Sequence, residues 1–163
     1  MIEWANKNKY NSFNSMKGLT YYENYRKIRY WLRGKGELPP PIECSLDPIM
    51  KCNHHCYYCN SQFYLKTTWG QLSWGDMHDL IEFLAKWGVR GVCFGGGGES
   101  TLHSDTSTMI NYVQELGMES ALVTNGSHLY DGYLLNSLID CRWVGISLDA
   151  ADAKTYKKIH GVD

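Results

Sequence analysis

Three closely spaced cysteines are the residues of this chain best suited to chemistry. Cys52, Cys56 and Cys59 follow a C-x3-C-x2-C pattern within one short segment. Thiolates bind iron, and three of them can hold three corners of a cubic four-iron cluster while the fourth iron stays open. An open iron can coordinate a substrate or a cofactor, whereas a fourth cysteine would make a closed electron carrier. The segment therefore predicts a metal site that takes part in a reaction.

The rest of the composition fits one compact protein in a reducing compartment. The chain has 163 residues, of which 44% are hydrophobic, so it can bury a core. Cys44, Cys93 and Cys141 lie in apolar surroundings and are predicted to be small buried side chains rather than disulfide partners. No apolar leader follows Met1, and no run reaches the ~18 apolar residues of a membrane span. We therefore expect a soluble, cytoplasmic protein.

Residues 1–41 are predicted to form a basic arm. Thr20 and Glu23 have the spacing of a helix capping box, and apolar residues recur at helical spacing up to Leu32. Three prolines at 39–41 make a stiff linker to a domain over 42–163. A net charge of -1 argues against nucleic-acid binding by bulk electrostatics. The arm's own cations could still meet an anionic partner such as a nucleic acid, or form a solvated helix face; they are Lys7, Lys9, Lys17, Arg26, Lys27, Arg29, Arg33 and Lys35.

From residue 42 onward, strand-like runs alternate with helical patterns. The predicted strands cover 42–49, 89–94, 120–123 and 143–148. Ser73 with Asp76 opens one helix that Gly88 closes, and Asp152 caps the last helix. Such alternation indicates an α/β fold with a parallel sheet of about four βα units. A complete eight-fold barrel needs roughly 200 residues or more, so we expect part of a longer barrel, or a fourth strand covered by another chain.

Three further motifs follow the later strands. They are Gly97-Gly98-Glu99-Ser100, Thr124-Asn125-Gly126 and Ile146-Ser147-Leu148-Asp149-Ala150. All fall at the carboxyl ends of predicted strands, where α/β folds place their sites. Glycine lets backbone approach a ligand closely because no Cβ intervenes. Each motif also has a plainer interpretation, since glycine-rich and Asn-Gly segments form ordinary turns.

Taken in order, the cysteine segment and these motifs resemble the radical S-adenosylmethionine (SAM) superfamily. The resemblance covers residues from about 42 to 163. It implies a partial (βα) barrel in which Cys52, Cys56 and Cys59 ligate a four-iron four-sulfur cluster whose open iron binds SAM. It also implies that an electron from a flavodoxin- or ferredoxin-type donor cleaves SAM to a 5′-deoxyadenosyl radical. That radical would abstract hydrogen from a substrate that the sequence does not identify.

The resemblance assigns two groups of contacts to the cofactor. Tyr58 would lie against the adenine, although an aromatic side chain here could equally only shield the cluster. The loop containing Gly97, Gly98 and Glu99 would bind the methionine amino group of SAM.

The later motifs would complete the SAM site. Thr124 and Asn125 would hydrogen-bond the ligand from the end of the third strand. Ser147 would reach the methionine carboxylate or the ribose, and Asp149 would cap the following turn. These assignments come from the resemblance, not from spacing alone.

Two other functions stay open at the level of the sequence. One is a zinc-stabilised binding module that uses the three cysteines with His54 or His55, although structural zinc sites usually take ligands from two knuckles and no second one is seen. The other is a protein that binds cluster and SAM without turnover. We expect His54 and His55 to be loop residues rather than ligands, and His103 to be a surface residue. His160 stands where the family often has arginine.

Overall fold

A four-stranded parallel sheet forms the centre of the molecule. The computed structural model describes residues 21–65 and 70–162. The strands are β1 (Glu43–Leu46), β2 (Gly91–Phe94), β3 (Glu119–Thr124) and β4 (Trp143–Ile146). They lie side by side in the sheet in the same order as in the chain. In the register, Leu46 pairs with Phe94, Phe94 with Leu122, and Thr124 with Ile146. All strands therefore end at the same edge, as the α/β prediction requires.

Helices connect and flank these strands. They are α1 (Tyr22–Trp31), α2 (Gln62–Leu65), α3 (Trp74–Trp87), α4 (Thr106–Glu115), α5 (Gly132–Leu138) and α6 (Ala153–His160), with a short 3-10 helix at Ser100–Leu102. The predicted end signals are confirmed. Ser73 and Asp76 form a reciprocal capping box, and Gly88 ends α3 in the left-handed conformation. Asp152 accepts a hydrogen bond from the backbone N–H of Thr155 at the start of α6.

The core lies between the sheet and helices α3 and α4. Its fully buried members include Met77 and Ile81 from α3, Phe94 from β2, Ile110 from α4 and Leu122 from β3. Cys93 is buried as predicted, whereas Cys44 and Cys141 are half-buried and pack against this core. Apolar side chains at helical spacing thus cover one face of the parallel strands and fix the positions of the loops that follow them.

The arm is described only from residue 21, so its first twenty residues lie outside the structural account. Helix α1 is present, and the capping box predicted from Thr20 and Glu23 stays a prediction, because Thr20 lies outside the described residues. Glu23, in the first turn of α1, pairs with Arg26 at 3.1 Å. Tyr21 is buried under the guanidinium of Arg90, and this contact attaches the start of α1 to the domain.

Strand β4 lies at one edge of the sheet. Within the described ranges it pairs with β3 alone, and Ile146 and Leu148 beside that edge are more than half exposed. The segment thus presents backbone hydrogen-bonding groups that another strand could pair with. None of the helices described, in 21–65 or 70–162, has both the length and the apolar character needed to cross a bilayer.

The capping box of α3 provides a test of how this helix is fixed. The Ser73 hydroxyl accepts from the Asp76 backbone N–H at 3.1 Å. We expect Ser73→Ala to lower the free energy of unfolding by about 1 kcal/mol, or the melting temperature by about 2–4 °C. Thermal unfolding by circular dichroism measures this. Ser104→Ala, which removes an exposed hydroxyl that contacts only Asp105, is the control and should change little.

Candidate functional site

A single cavity collects nearly all of the predicted site residues. It has a volume of about 750 Å³ and lies at the carboxyl edge of the sheet. The cysteine loop (residues 47–61) lines one side, and the loops after β2, β3 and β4 line the other. Of the predicted residues, only Asp149 is absent from its lining. The lining members are Cys52, Cys56, Tyr58, Cys59, Gly97, Gly98, Glu99, Thr124, Asn125 and Ser147.

The three cysteines are half-buried, and nitrogen atoms approach two of their sulfurs. The backbone N–H of His54 donates to Cys52 Sγ at 3.4 Å, and Nδ1 of His160 lies 3.0 Å from Cys56 Sγ. Burial raises the pKa of the Cys52 thiol, and the charge of Glu99 adds to the effect. Burial and the two neighbouring cysteines likewise raise the pKa of Cys56. A metal that binds here must therefore displace thiol protons.

Glu99 is buried and spends both carboxylate oxygens on the protein. Oε1 accepts from the Thr101 hydroxyl at 2.6 Å and from the Thr124 hydroxyl at 2.7 Å. Oε2 accepts from the backbone N–H of Asn125 at 2.7 Å. The backbone N–H of Glu99 itself donates to Lys51 O at 2.8 Å. This residue therefore joins the cysteine loop to the segments after β2 and at the end of β3, and both of its carboxylate oxygens are hydrogen-bonded within the protein.

Asparagine side chains make a second connection between the same loops. Nδ2 of Asn125 donates to Oδ1 of Asn53 at 2.7 Å, and Nδ2 of Asn53 donates to the Ser127 hydroxyl at 2.8 Å. Asn125 Oδ1 accepts from the backbone N–H of Ser127 at 2.9 Å, as in an Asx-turn. Asn53 was not predicted from the sequence, where nothing in its spacing distinguishes it from other loop residues.

Glycine is needed at position 98 because the cysteine loop packs directly against it, and not because a ligand occupies that space. A Cβ on Gly98 would collide with the carbonyl oxygens of Ile49 and Lys51, and one on Gly97 would lie 2.8 Å from Met50 Sδ. The backbone N–H of Gly97 donates to the carboxylate of Asp47 at 2.9 Å. The glycines thus allow two loops to pack in direct contact, while their backbones still line the cavity.

Tyr58 and Asp149 contact each other across the mouth of the site. The Tyr58 hydroxyl donates to Oδ2 of Asp149 at 2.6 Å, and this hydrogen bond raises the pKa of Tyr58. Asp149 adopts the left-handed conformation with φ 50° and accepts from Tyr58 instead of capping the following turn. The backbone N–H of Ser147 donates to Thr124 O. Ser147 is half-buried and lines the cavity, and its hydroxyl makes no hydrogen bond among the described residues.

His54 and His160 both lie close to Cys56. His54 belongs to the cysteine loop, as predicted; it is only 6% exposed, and burial lowers its pKa. His160 is fully buried beside Cys56, although 104 residues separate the two in the chain. No spacing in the sequence could indicate a contact over that distance. His103, expected on the surface, is also buried, with Nε2 2.8 Å from Leu72 O.

Comparison with known proteins agrees with this arrangement. The family model described as the radical SAM superfamily matches residues 47–163. An S-adenosylmethionine-dependent nucleotide dehydratase from Flammeovirga pacifica is 32% identical over 112 residues, 66% of this chain and 38% of that protein. A probable GTP 3′,8-cyclase from Pyrococcus abyssi is 30% identical over 132 residues, 76% of this chain and 40% of that protein. The chain spans about two fifths of the length of these curated relatives.

A solved structure shares the fold. The crystal structure of Streptococcus suis SuiB bound to S-adenosylmethionine superposes with a TM-score of 0.68 at 23% identity. The match covers 86% of this chain and 32% of SuiB. This similarity confirms the predicted α/β architecture of a partial barrel.

The contacts of Glu99 give a prediction for the stability of the site. In Glu99→Gln, an amide NH2 replaces one carboxylate oxygen. This new donor would face hydroxyl or N–H groups that now donate to the carboxylate, and a donor cannot accept from them. We expect a loss of about 1–3 kcal/mol in the free energy of unfolding, because a buried hydrogen-bonding group is left unpaired. Denaturant unfolding measures the change.

Glu115→Gln is the matched control for this prediction. Glu115 is an exposed carboxylate at the end of α4, so the same chemical change there should leave stability within experimental error. Equal effects of the two substitutions would show that the Glu99 contacts do not stabilise the fold.

Proposed function

Because this chain belongs to the radical SAM superfamily, we propose that it binds a four-iron four-sulfur cluster and SAM in the described cavity and generates a 5′-deoxyadenosyl radical. One observation carries the proposal. Three thiols on one short loop line the same cavity as the turns after β2, β3 and β4. When bound and reduced, the cluster supplies the electron that cleaves SAM. The chain's own residues would bind and orient the cluster and SAM and exclude water from the cavity.

The cysteine loop fits a cluster better than a single zinc ion. Cys52, Cys56 and Cys59 would hold three irons, and within the described residues no fourth cysteine lines the cavity to close the last one. A zinc ion would need three ligand atoms that converge on one point. In the described part of the chain, the group that converges includes Cys56 but neither Cys52 nor Cys59. The zinc module considered from the sequence therefore lacks support as a three-cysteine site.

We assign direct contact with SAM mainly to backbone groups and to Ser147. Glu99, Thr124 and Asn125 use their polar side-chain atoms on one another and on neighbouring loops. Their role in this proposal is to hold the backbone of residues 97–99 and 124–126 in place. The Ser147 hydroxyl remains available to a methionine carboxylate or a ribose. Tyr58, held by Asp149, would cover the adenine.

The end of α6 holds the cysteine loop from behind. The backbone N–H of His55 donates to His160 O at 2.8 Å, and that of Tyr57 donates to Ile159 O at 3.1 Å. Gly161 follows with φ 69°, and a Cβ there would lie 3.0 Å from His55 Cβ. These contacts fix the backbone around Cys56, so we propose that they are required for the cluster to be retained.

The substrate class to test first is a nucleotide. Relatives named as a nucleotide dehydratase and a GTP cyclase match this chain over most of its length. A flavodoxin- or ferredoxin-type protein would donate the electron. All six cysteines are free thiols, which suits the reducing cytoplasm.

Cys56→Ala tests the proposed function. Anaerobically reconstituted wild-type chain should hold about four irons with broad absorbance that dithionite bleaches, and should release 5′-deoxyadenosine from SAM. The variant should lose iron and product together. Cys141→Ala removes a thiol far from the cavity and should keep both. A colourless wild-type protein, or iron retained in full by Cys56→Ala, would contradict the proposal.

Gly161→Ala tests the role of α6 in holding the cysteine loop. Gly117→Ala is its matched control, because Gly117 also has positive φ, at 78°, but a Cβ there meets nothing within 4 Å. Both substitutions cost about 1–2 kcal/mol of backbone strain. Only Gly161→Ala presses on His55, so it should retain less than half of the iron that Gly117→Ala retains after reconstitution. Equal iron content in the two variants would show that α6 does not support the loop.

A further inference from the structure

We propose that the chain has a second metal site, a mononuclear site for Zn²⁺ formed by His54, Cys56 and His160, which excludes the cluster because both need Cys56. The ligand atoms of these residues all lie within 4.8 Å of one another, and the site is buried or half-buried. Zinc binds imidazole nitrogen at about 2.0–2.1 Å and thiolate at about 2.3 Å, so one ion between these atoms requires only small side-chain movements. Three protein ligands leave a fourth position for water.

His160 is oriented as metal-binding histidines usually are. Its Nε2 lies 3.2 Å from Leu148 O and 3.7 Å from Oδ2 of Asp149. A carbonyl oxygen can only accept, so in the neutral ring Nε2 carries the hydrogen. The lone pair of Nδ1 then faces Cys56 Sγ at 3.0 Å. A histidine whose second nitrogen donates to a carbonyl or carboxylate is fixed in the tautomer that binds a metal.

His54 supplies the second, independent observation. Its ring is almost fully buried, and Nδ1 has no hydrogen-bond partner in the structure described. A buried nitrogen without a partner costs roughly 1–3 kcal/mol, so a group that satisfies it gains that energy. The His54 ring lies 5.4 Å from the His160 ring, centre to centre. One ring nitrogen of His54 is among the ligand atoms that lie within 4.8 Å of one another, and a metal ion bound through Nδ1 would satisfy the orphan nitrogen.

The surroundings favour zinc over a harder cation. Two imidazoles and one thiolate are ligands that zinc prefers, whereas magnesium and calcium require oxygen. Tyr156 contacts both histidine rings, with centroids 4.3 Å from His160 and 5.9 Å from His54, and shields the site on one side.

The two sites differ in the other residues they need, so each can be tested without the other. The cluster needs Cys52 and Cys59, and the zinc site needs neither. The zinc site needs the side chains of His54 and His160. The zinc site goes beyond the proposed function, and its metal binding is measured without iron, SAM or turnover; only the exclusion of the cluster rests on the proposed function.

Cobalt titration of the iron-free chain tests the site directly. Co²⁺ replaces zinc and gives visible bands for a tetrahedral site with a thiolate ligand. We expect the wild type to bind one Co²⁺ per chain, with the charge-transfer absorbance of a single thiolate ligand. Added Zn²⁺ should displace this Co²⁺. Cys52→Ser and Cys59→Ser should bind Co²⁺ as the wild type does. Cys56→Ala, His54→Gln and His160→Gln should each weaken binding at least about tenfold.

His78→Gln serves as the control, since His78 lies on α3 away from the loop and should leave Co²⁺ affinity unchanged. Circular dichroism of every variant checks that a loss of binding is not a loss of folding. His54→Gln is the decisive variant if His160→Gln unfolds, because Nδ1 of His54 has no hydrogen bond for the replacement to break.

Competition with iron tests the exclusion. Chain preloaded with Zn²⁺ should take up far less iron than metal-free chain, and His54→Gln should take up iron equally with or without zinc. Two results would overturn the proposal. One is Co²⁺ binding that survives both histidine substitutions. The other is binding that Cys52→Ser or Cys59→Ser weakens as much as Cys56→Ala does, which would place the ion among the three cysteines.

Discussion

The buried carboxylate of Glu99 is the constraint on which the site depends. A carboxylate removed from water is tolerable only when its oxygens are hydrogen-bonded. Its donors here are Thr101, which follows β2, and Thr124 and Asn125 at the end of β3. Those donors meet only if β2 and β3 hold their observed register. The hydrogen bond from Glu99 N to Lys51 O brings in the cysteine loop as well. The register of the sheet is thereby transmitted to the walls of the cavity.

Such a network separates two tasks that the sequence motifs combine. The polar side-chain atoms of Thr124 and Asn125 are hydrogen-bonded to Glu99 and Asn53 and so hold the loops together. Groups fixed by their neighbours lose little freedom when a ligand arrives, which is the basis of preorganisation. The cavity is therefore built before its cofactor binds.

The sequence predicted whatever is encoded locally. Ser73, Gly88 and Asp152 act on their own helices, and the strands follow from apolar runs, so both were placed within a few residues. Tyr21, by contrast, is buried under Arg90, a tertiary contact that no local pattern in the sequence indicates. The sequence motifs predicted where the cavity lies, but they did not predict which group each side chain bonds to. His160 contacts Cys56 although 104 residues separate them in the chain, and no spacing in the sequence indicates that contact.

That separation has a consequence for how the protein is made. Ribosomes extend a chain at about 5–20 residues per second, so the backbone carbonyls of Ile159 and His160 emerge roughly 5–20 s after Cys56 does. During that interval the three thiols are exposed on a nascent chain without the contacts that shape their loop. If the chain binds a cluster as proposed, the contacts of α6 that shape the loop form only after all three cysteines have been synthesised.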